Sequence, residues 1–169
     1  MYNRFLLLAC IALGLPAGFL YAQDRYELDR GWKCLPVSKS TATGPELSQL
    51  SYSINSWLPA VVPGTVLTTL LQNRQVPDPF YGMNNQQIPD IYTTGRDHYT
   101  YWFAKDFTES LPANGRQVWL QFRGVNYGCD VYLNGHRLND STHRGMFLRQ
   151  AYNITRSVRR GRNRLVVVV

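Results

Sequence analysis

Cys34 and Cys129, three histidines and a knot of arginines are the side chains whose chemistry must be placed first. The two cysteines could form one disulfide in an oxidising compartment, or each could serve as a small buried hydrophobe; their spacing leaves both open. Neither belongs to a C-x-x-C pair, and His98, His136 and His143 are not spaced as ligands on one helix turn, so no metal or cofactor is expected. The dense positive charge is Arg156, Arg159, Arg160, Arg162 and Arg164. A basic cluster can hold nucleic acid. Here it flanks Gly161-Arg162-Asn163, which reads as a turn between two strands, and a solvated hairpin tip accounts for it more simply. No nucleic-acid partner is expected.

The amino terminus carries a different kind of signal. Arg4 precedes the apolar run Phe5 to Leu15, Pro16 and Gly18 break it, and Ala22 offers a small residue for cleavage before Gln23. Residues 1–22 therefore read as a signal peptide, too short to span a bilayer, which takes ~20 apolar residues. Leu7-Leu8-Ala9-Cys10 resembles a lipoprotein box, but the apolar stretch continues past Cys10, which argues against lipidation. The expected product is periplasmic or secreted, with no membrane attachment after cleavage. Loss of Arg4 takes the formal net charge from +7 to +6.

The elements that must position any site are mostly strands. Tyr99 to Phe107 alternates, with Tyr101 and Phe103 on one face and Trp102 and Ala104 on the other. In Arg116 to Arg123, Val118, Leu120 and Phe122 oppose Gln117, Trp119 and Gln121. Asn134-Gly135, between Asp130-Val131-Tyr132-Leu133 and His136-Arg137-Leu138, predicts a type I′ hairpin. The last segment, Asn163 to Val169, is dominated by β-branched apolar residues, as a strand buried on both faces would be. One short helix fits Thr65 to Asn73, with Thr65 as its cap. Residues 39–56 read as a loop with a short strand. Residues 74–98 form a long, aromatic-rich connection of the length that is usually functional.

Several segments, in order, resemble the amino-terminal domain of family 2 glycoside hydrolases. Trp57-Leu58-Pro59-Ala60-Val61-Val62-Pro63-Gly64-Thr65-Val66 is similar to the family's W-x-x-A-x-VPGTV stretch, and residues 77–85 to its PDPFYGxN loop. Asp90-Ile91 with residues 95–103 resembles DI…GRDYYTFWF; Asp130–Gly135, Gly145-Met146-Phe147 and residues 161–165 follow the later signatures. The resemblance covers about residues 31–169. Its wording sits nearest the mannosylglycoprotein endo-β-mannosidases, then the exo-β-glucosaminidases and β-mannosidases.

The resemblance implies an all-β jelly-roll (galactose-binding-like) β-sandwich over residues 23–169, incomplete at its carboxyl end. Family members continue there into further strands and a GWDW-like loop, so the apolar strand ending at Val169 is expected to lack its partner. The family's two catalytic glutamates, ~5–5.5 Å apart in retaining enzymes, sit on a (β/α)8 barrel. Glu27, Glu46 and Glu109 are the glutamates here, and none lies in a barrel-strand context. No catalytic residue is assigned, and the chain alone is expected to be inactive; Asp78 and Asp97 as an acid/base pair is the weaker reading.

By the same resemblance the partners are a β-linked glycan and the missing immunoglobulin-like and barrel domains, with the loop before the YWF strand at the mouth of the sugar pocket. Asn84 and Asn85 would then bond sugar hydroxyls, or merely shape a turn. Tyr81 and Trp102 would stack on a pyranose, Trp102 having core burial as its alternative. Asp78 would accept hydroxyl hydrogen bonds or cap a turn, and Asp97 would bind sugar or pair with Arg96. Two other functions compete: a free-standing carbohydrate-binding module, which needs an exposed aromatic platform of its own, and an envelope interaction protein using the arginine cluster.

Overall fold

The computed structural model describes residues 24–111 and 115–169, so the expected signal peptide lies outside the described residues. The strands are β1 (Trp32–Pro36), β2 (Leu58–Ala60), β3 (Tyr101–Glu109), β4 (Trp119–Phe122), β5 (Gly128–Leu133), β6 (His136–Arg137), β7 (His143–Arg144), β8 (Gln150–Asn153) and β9 (Gly161–Val168). The larger sheet runs β2-β1-β3-β9-β5-β6, with β7 also on β5; β4 and β8 form a second sheet. Every pairing is antiparallel. This is the expected all-β sandwich. No helix among the described residues is long and apolar enough to cross a membrane.

Alternation in β3 holds, but both faces are buried. Tyr101, Phe103 and Phe107 enter the main core with Trp32, Val131, Leu165 and Val167, closed from the other side by Leu120, Phe122 and Tyr152 of the small sheet. Trp102 and Ala104 enter a second core with Leu47, Ile54, Trp57 and Val166. Between them β9 is buried on both faces, as its composition predicts, and each such apolar side chain contributes about 1.5–3 kcal/mol. The expected missing partner is corrected: β9 pairs with β3 on one side and β5 on the other, because the chain order places it mid-sheet. At the β5–β6 turn Asn134 (φ 52°) and Gly135 (φ 96°) both adopt the positive φ that the hairpin requires.

Three expectations about local structure fail for physical reasons. Helices number three among the described residues: α1 (Gly44–Leu47), α2 (Val66–Gln72) and α3 (Ile91–Thr94). α2 is the one expected, with Thr65 accepting from the Thr68 amide at 3.0 Å. α1 stands where a short strand was expected, because Glu46 reaches back to the Thr43 amide at 2.6 Å and Pro45 occupies the first turn. Gly161-Arg162-Asn163 is the start of β9 and not a turn; the chain reverses upstream, where Val158 donates to the Ile154 carbonyl at 2.8 Å. Nor is the arginine cluster wholly solvated. Arg164 is only 3% exposed, and its Nη1 donates to the carbonyls of Gln49, at 3.0 Å, and Tyr52. With Lys33 Nζ on the carbonyls of Ile54 and Asn55 at 3.1 and 3.3 Å, two cations clamp residues 49–55 over the second core.

The disulfide question closes on topology. Cys34 and Cys129 are both free and buried in the main core. Cys34 pairs with Phe103, Phe103 with Val167, and Val167 with Val131, so three strand spacings of ~4.8 Å separate β1 from β5. That distance, ~14 Å, is twice the ~7 Å limit for a bridge.

Candidate functional site

The sheet register gathers three strand ends into one row. Trp102 at the start of β3 pairs with Val168 at the end of β9, and Val168 pairs with Asp130 near the start of β5. Tyr101 and Val169 exchange backbone hydrogen bonds of 3.0 and 3.1 Å just beyond that row. On β5, Gly128 pairs with Arg144 of β7, and Gly145 N donates to the Tyr127 carbonyl at 2.8 Å. The segment leading into β3, Tyr127 and residues 145–148 therefore leave the sandwich at the same end. All three carry solvent-facing apolar side chains: Ile91 and Tyr92 in the first, Tyr127, then Met146, Phe147 and Leu148. Isolated exposed apolar residues need no explanation, but a contiguous set commonly marks a contact surface.

Local hydrogen bonds shape the long loop. Asp78 Oδ1 accepts from Phe80 N at 2.9 Å, an Asx turn between two prolines, and the Asp78 carbonyl accepts from Tyr81 N at 3.2 Å. Phe80, 96% exposed, and Tyr81 stand out from this turn. Asp78 also lines an open depression of about 810 Å³ with Leu71, Gln72, Arg74 and Gln75. A 3-10 turn covers Asn84–Gln87, in which Asn84 Oδ1 accepts from Gln87 Nε2 at 3.3 Å. The Asn85 side chain makes no hydrogen bond among the described residues. Asp90 caps α3 by accepting from Tyr92 N at 2.9 Å, and the Tyr99 hydroxyl donates to the Pro89 carbonyl. Partial burial, and then the Asp90 charge, push the Tyr99 hydroxyl above the usual tyrosine range.

Two site expectations need correction. Trp102 is 8% exposed, tilted against Tyr132 with ring centroids 6.1 Å apart, so its faces are packed and it cannot stack on a ligand. Asp97 makes no ion pair with Arg96 among the described residues; its carbonyl instead accepts from Thr100 N at 3.2 Å in the 3-10 turn leading to β3. Asp78, Tyr81, Asn84 and Asn85 do share one solvent-facing loop. Residue-by-residue reasoning passed over Tyr92, Tyr127 and Phe147, whose exposure follows from register more than from residue type. The glutamates have structural work: Glu46 caps α1, Glu109 accepts from the Tyr26 hydroxyl at 2.8 Å, and Glu27 pairs with Arg123. No three His, Cys, Asp or Glu side chains among the described residues converge as a metal site would require.

Residues 39–169 match the family described as glycosyl hydrolase 2 galactose-binding domain-like, and the chain belongs to that family. It is similar to mannosylglycoprotein endo-β-mannosidase of Lilium longiflorum, 46% identical over 146 residues, which is 84% of this chain and 15% of that protein. It is also similar to exo-β-D-glucosaminidase of Streptomyces avermitilis, 31% identical over 79% of this chain and 14% of the relative. Among solved structures the exo-chitosanase of Amycolatopsis orientalis superposes with a TM-score of 0.70 and 26% identity, covering 83% of this chain and 16% of that one. The chain is thus an amino-terminal domain of the β-mannosidase and exo-β-glucosaminidase type, spanning about 15% of the length of such relatives.

Proposed function

We propose that this chain forms one wall of the sugar pocket of a family 2 β-glycosidase of the β-mannosidase or exo-β-glucosaminidase type. The observation that carries the reading is the convergence of the β3 entry segment, Tyr127 and the 145–148 turn at one end of the sandwich, with exposed aromatic rings on each. Such a rim offers flat apolar surface to pyranose C–H groups, while the amides of Asn84 and Asn85 and the carboxylate of Asp78 supply hydroxyl partners. Asp97 stands at the base of the same segment. The hydrolytic glutamates would come from a (β/α)8 barrel beyond immunoglobulin-like domains, and residues 1–22 would direct export to the periplasm or medium, leaving residues 23–169 as the domain.

The test uses the complete gene product. Tyr81→Ala, Asn84→Ala and Asn85→Ala should raise KM for an aryl β-mannoside or β-glucosaminide by about three- to thirtyfold, since each removes ligand contacts worth roughly 1–2 kcal/mol. The isolated 169-residue chain should hydrolyse neither substrate. Unchanged KM in all three variants, or turnover by the isolated chain that Asp78→Asn abolishes, overturns the reading. Amino-terminal sequencing of the exported product should begin at Gln23.

A further inference from the structure

Four tryptophans divide unequally between interior and surface. Trp32, Trp57 and Trp102 are buried, whereas Trp119 is 49% exposed. Trp119 sits on β4 of the small sheet, whose inward residues Leu120 and Phe122 close the main core. The outward face follows from the register: Trp119 stands opposite Asn153, and Gln121 opposite Ala151. All four are exposed. A strand in the second sheet of a sandwich normally turns small or charged residues to solvent, and a tryptophan there is the group that asks for an explanation.

The surroundings of this ring are amides. Trp119 Nε1 donates to Gln117 Oε1 at 3.1 Å, which holds the indole in one orientation and satisfies its only polar atom. Asn153 Oδ1 accepts from Thr155 N and Oγ1 at 3.1 and 2.7 Å, so the Asn153 amide is fixed with its NH2 still available to donate. Gln121 lies on the other side of the ring, and the methyl group of Ala151 leaves a step beside it. Charge begins past these residues, at Arg149, at Arg116, which pairs with Asp24, and at Arg123, whose guanidinium is engaged by Glu27. A pinned indole bordered by three neutral amides complements an uncharged polyhydroxyl ring: the indole face takes the C–H surface, and the amides both donate to and accept from hydroxyls.

We infer that Trp119, Gln121 and Asn153 form a binding platform for a neutral glycan chain on the outer face of the small sheet. It is a different surface from the rim at the strand ends, and it supplies the exposed aromatic platform that a carbohydrate-binding module requires. The inference does not rest on the proposed pocket wall, since none of its residues belongs to the loops assigned there.

The experiment is titration of the purified chain with β-1,4-mannohexaose and with cellohexaose, following tryptophan emission and acrylamide quenching. Because a single tryptophan is solvent-facing, ligand should shift emission to the blue and protect that one ring from quencher, a readout needing no variant. Trp119→Ala should weaken binding by about tenfold or more, Gln121→Ala and Asn153→Ala by about three- to tenfold, and Trp119→Tyr should keep most of it. In Tyr81→Ala and Tyr92→Ala the Trp119 emission shift and its protection from quencher should persist. Absence of protection up to about 10 mM sugar, well beyond the range of weak specific sites, overturns the inference, as does full binding by Trp119→Ala. Loss of binding only in the Tyr81 and Tyr92 variants assigns the sugar to the rim and also overturns it.

Discussion

Arg164 holds both carboxylate oxygens of Asp106, Nε 2.6 Å from Oδ1 and Nη2 2.9 Å from Oδ2, across the β3–β9 pair. The side-on fork leaves Nη1 for the carbonyls of residues 49 and 52, so one guanidinium ties a strand pair to the strap above it. Replacing it with a shorter group leaves Asp106 to the more exposed Arg162 alone and strands two carbonyls. Arg164→Ala should therefore destabilise the chain by about 3–5 kcal/mol, and Arg164→Lys should recover little, because an ammonium cannot make the fork. Chemical denaturation of the variants checks both; a loss under about 1 kcal/mol for Arg164→Ala would show the clamp to be dispensable.

Acid should loosen the same region. Burial raises the Asp106 carboxyl, but hydrogen bonds and charge from Arg164 and Arg162 outweigh it and hold Asp106 below the usual range. At Asp130, burial is likewise outweighed by hydrogen bonds from Arg137, Thr142 and Asn139 and by the Arg137 charge. A carboxylate depressed in the folded state stabilises it above the unfolded value of ~3.9, and that stability fades as pH falls through the lower folded value. Thermal melts should thus drop below about pH 4, and the slope should flatten in Asp106→Asn.

The alkaline limb has the opposite sign. Burial pushes the Cys34 thiol up to about 11, and burial followed by the Glu109 hydrogen bond and charge pushes the Tyr26 hydroxyl up to about 12. Their contribution is complete below the unfolded values and is lost as pH rises through the folded ones. Accordingly, Cys34 and Cys129 should ignore a thiol reagent at about pH 8 and react fully in guanidinium, with no oxidised form in the intact mass. Labelling of either thiol in the native state would contradict their burial.

Gly44 is a packing test. A methyl group added there would lie 2.4 Å from the Tyr132 ring, which itself tilts against Trp102. Gly44→Ala should cost about 1–3 kcal/mol by shifting that ring, and Gly44→Ala with Tyr132→Leu should recover part of it. Additive losses in the double variant would place the strain elsewhere.

What could be read from the chain was what has a period. β3 alternates, β9 runs into the unbroken apolar stretch Leu165 to Val169, and Asn134-Gly135 admits few conformations besides its turn. α1 escaped because Thr43-Gly44-Pro45-Glu46 carries a capping box too short to show helical periodicity. Arg164 is not distinguishable in the sequence from Arg160 or Arg162; its burial depends on Asp106, 58 residues away. The rim is legible only as loop composition, since the convergence of Tyr92, Tyr127 and Phe147 is a matter of register. Trp102 and Trp119 each occupy an alternating strand, and only the layers packed on either side decide which indole meets water.

The central position of β9 has a consequence for biosynthesis. β3 and β5 border it on either side, yet it follows both in the chain, so neither half of the large sheet can join the other until residues 161–168 have left the ribosome. Until then two apolar strand edges wait open, which makes closure a late, long-range event and gives chaperones a defined interval in which to act.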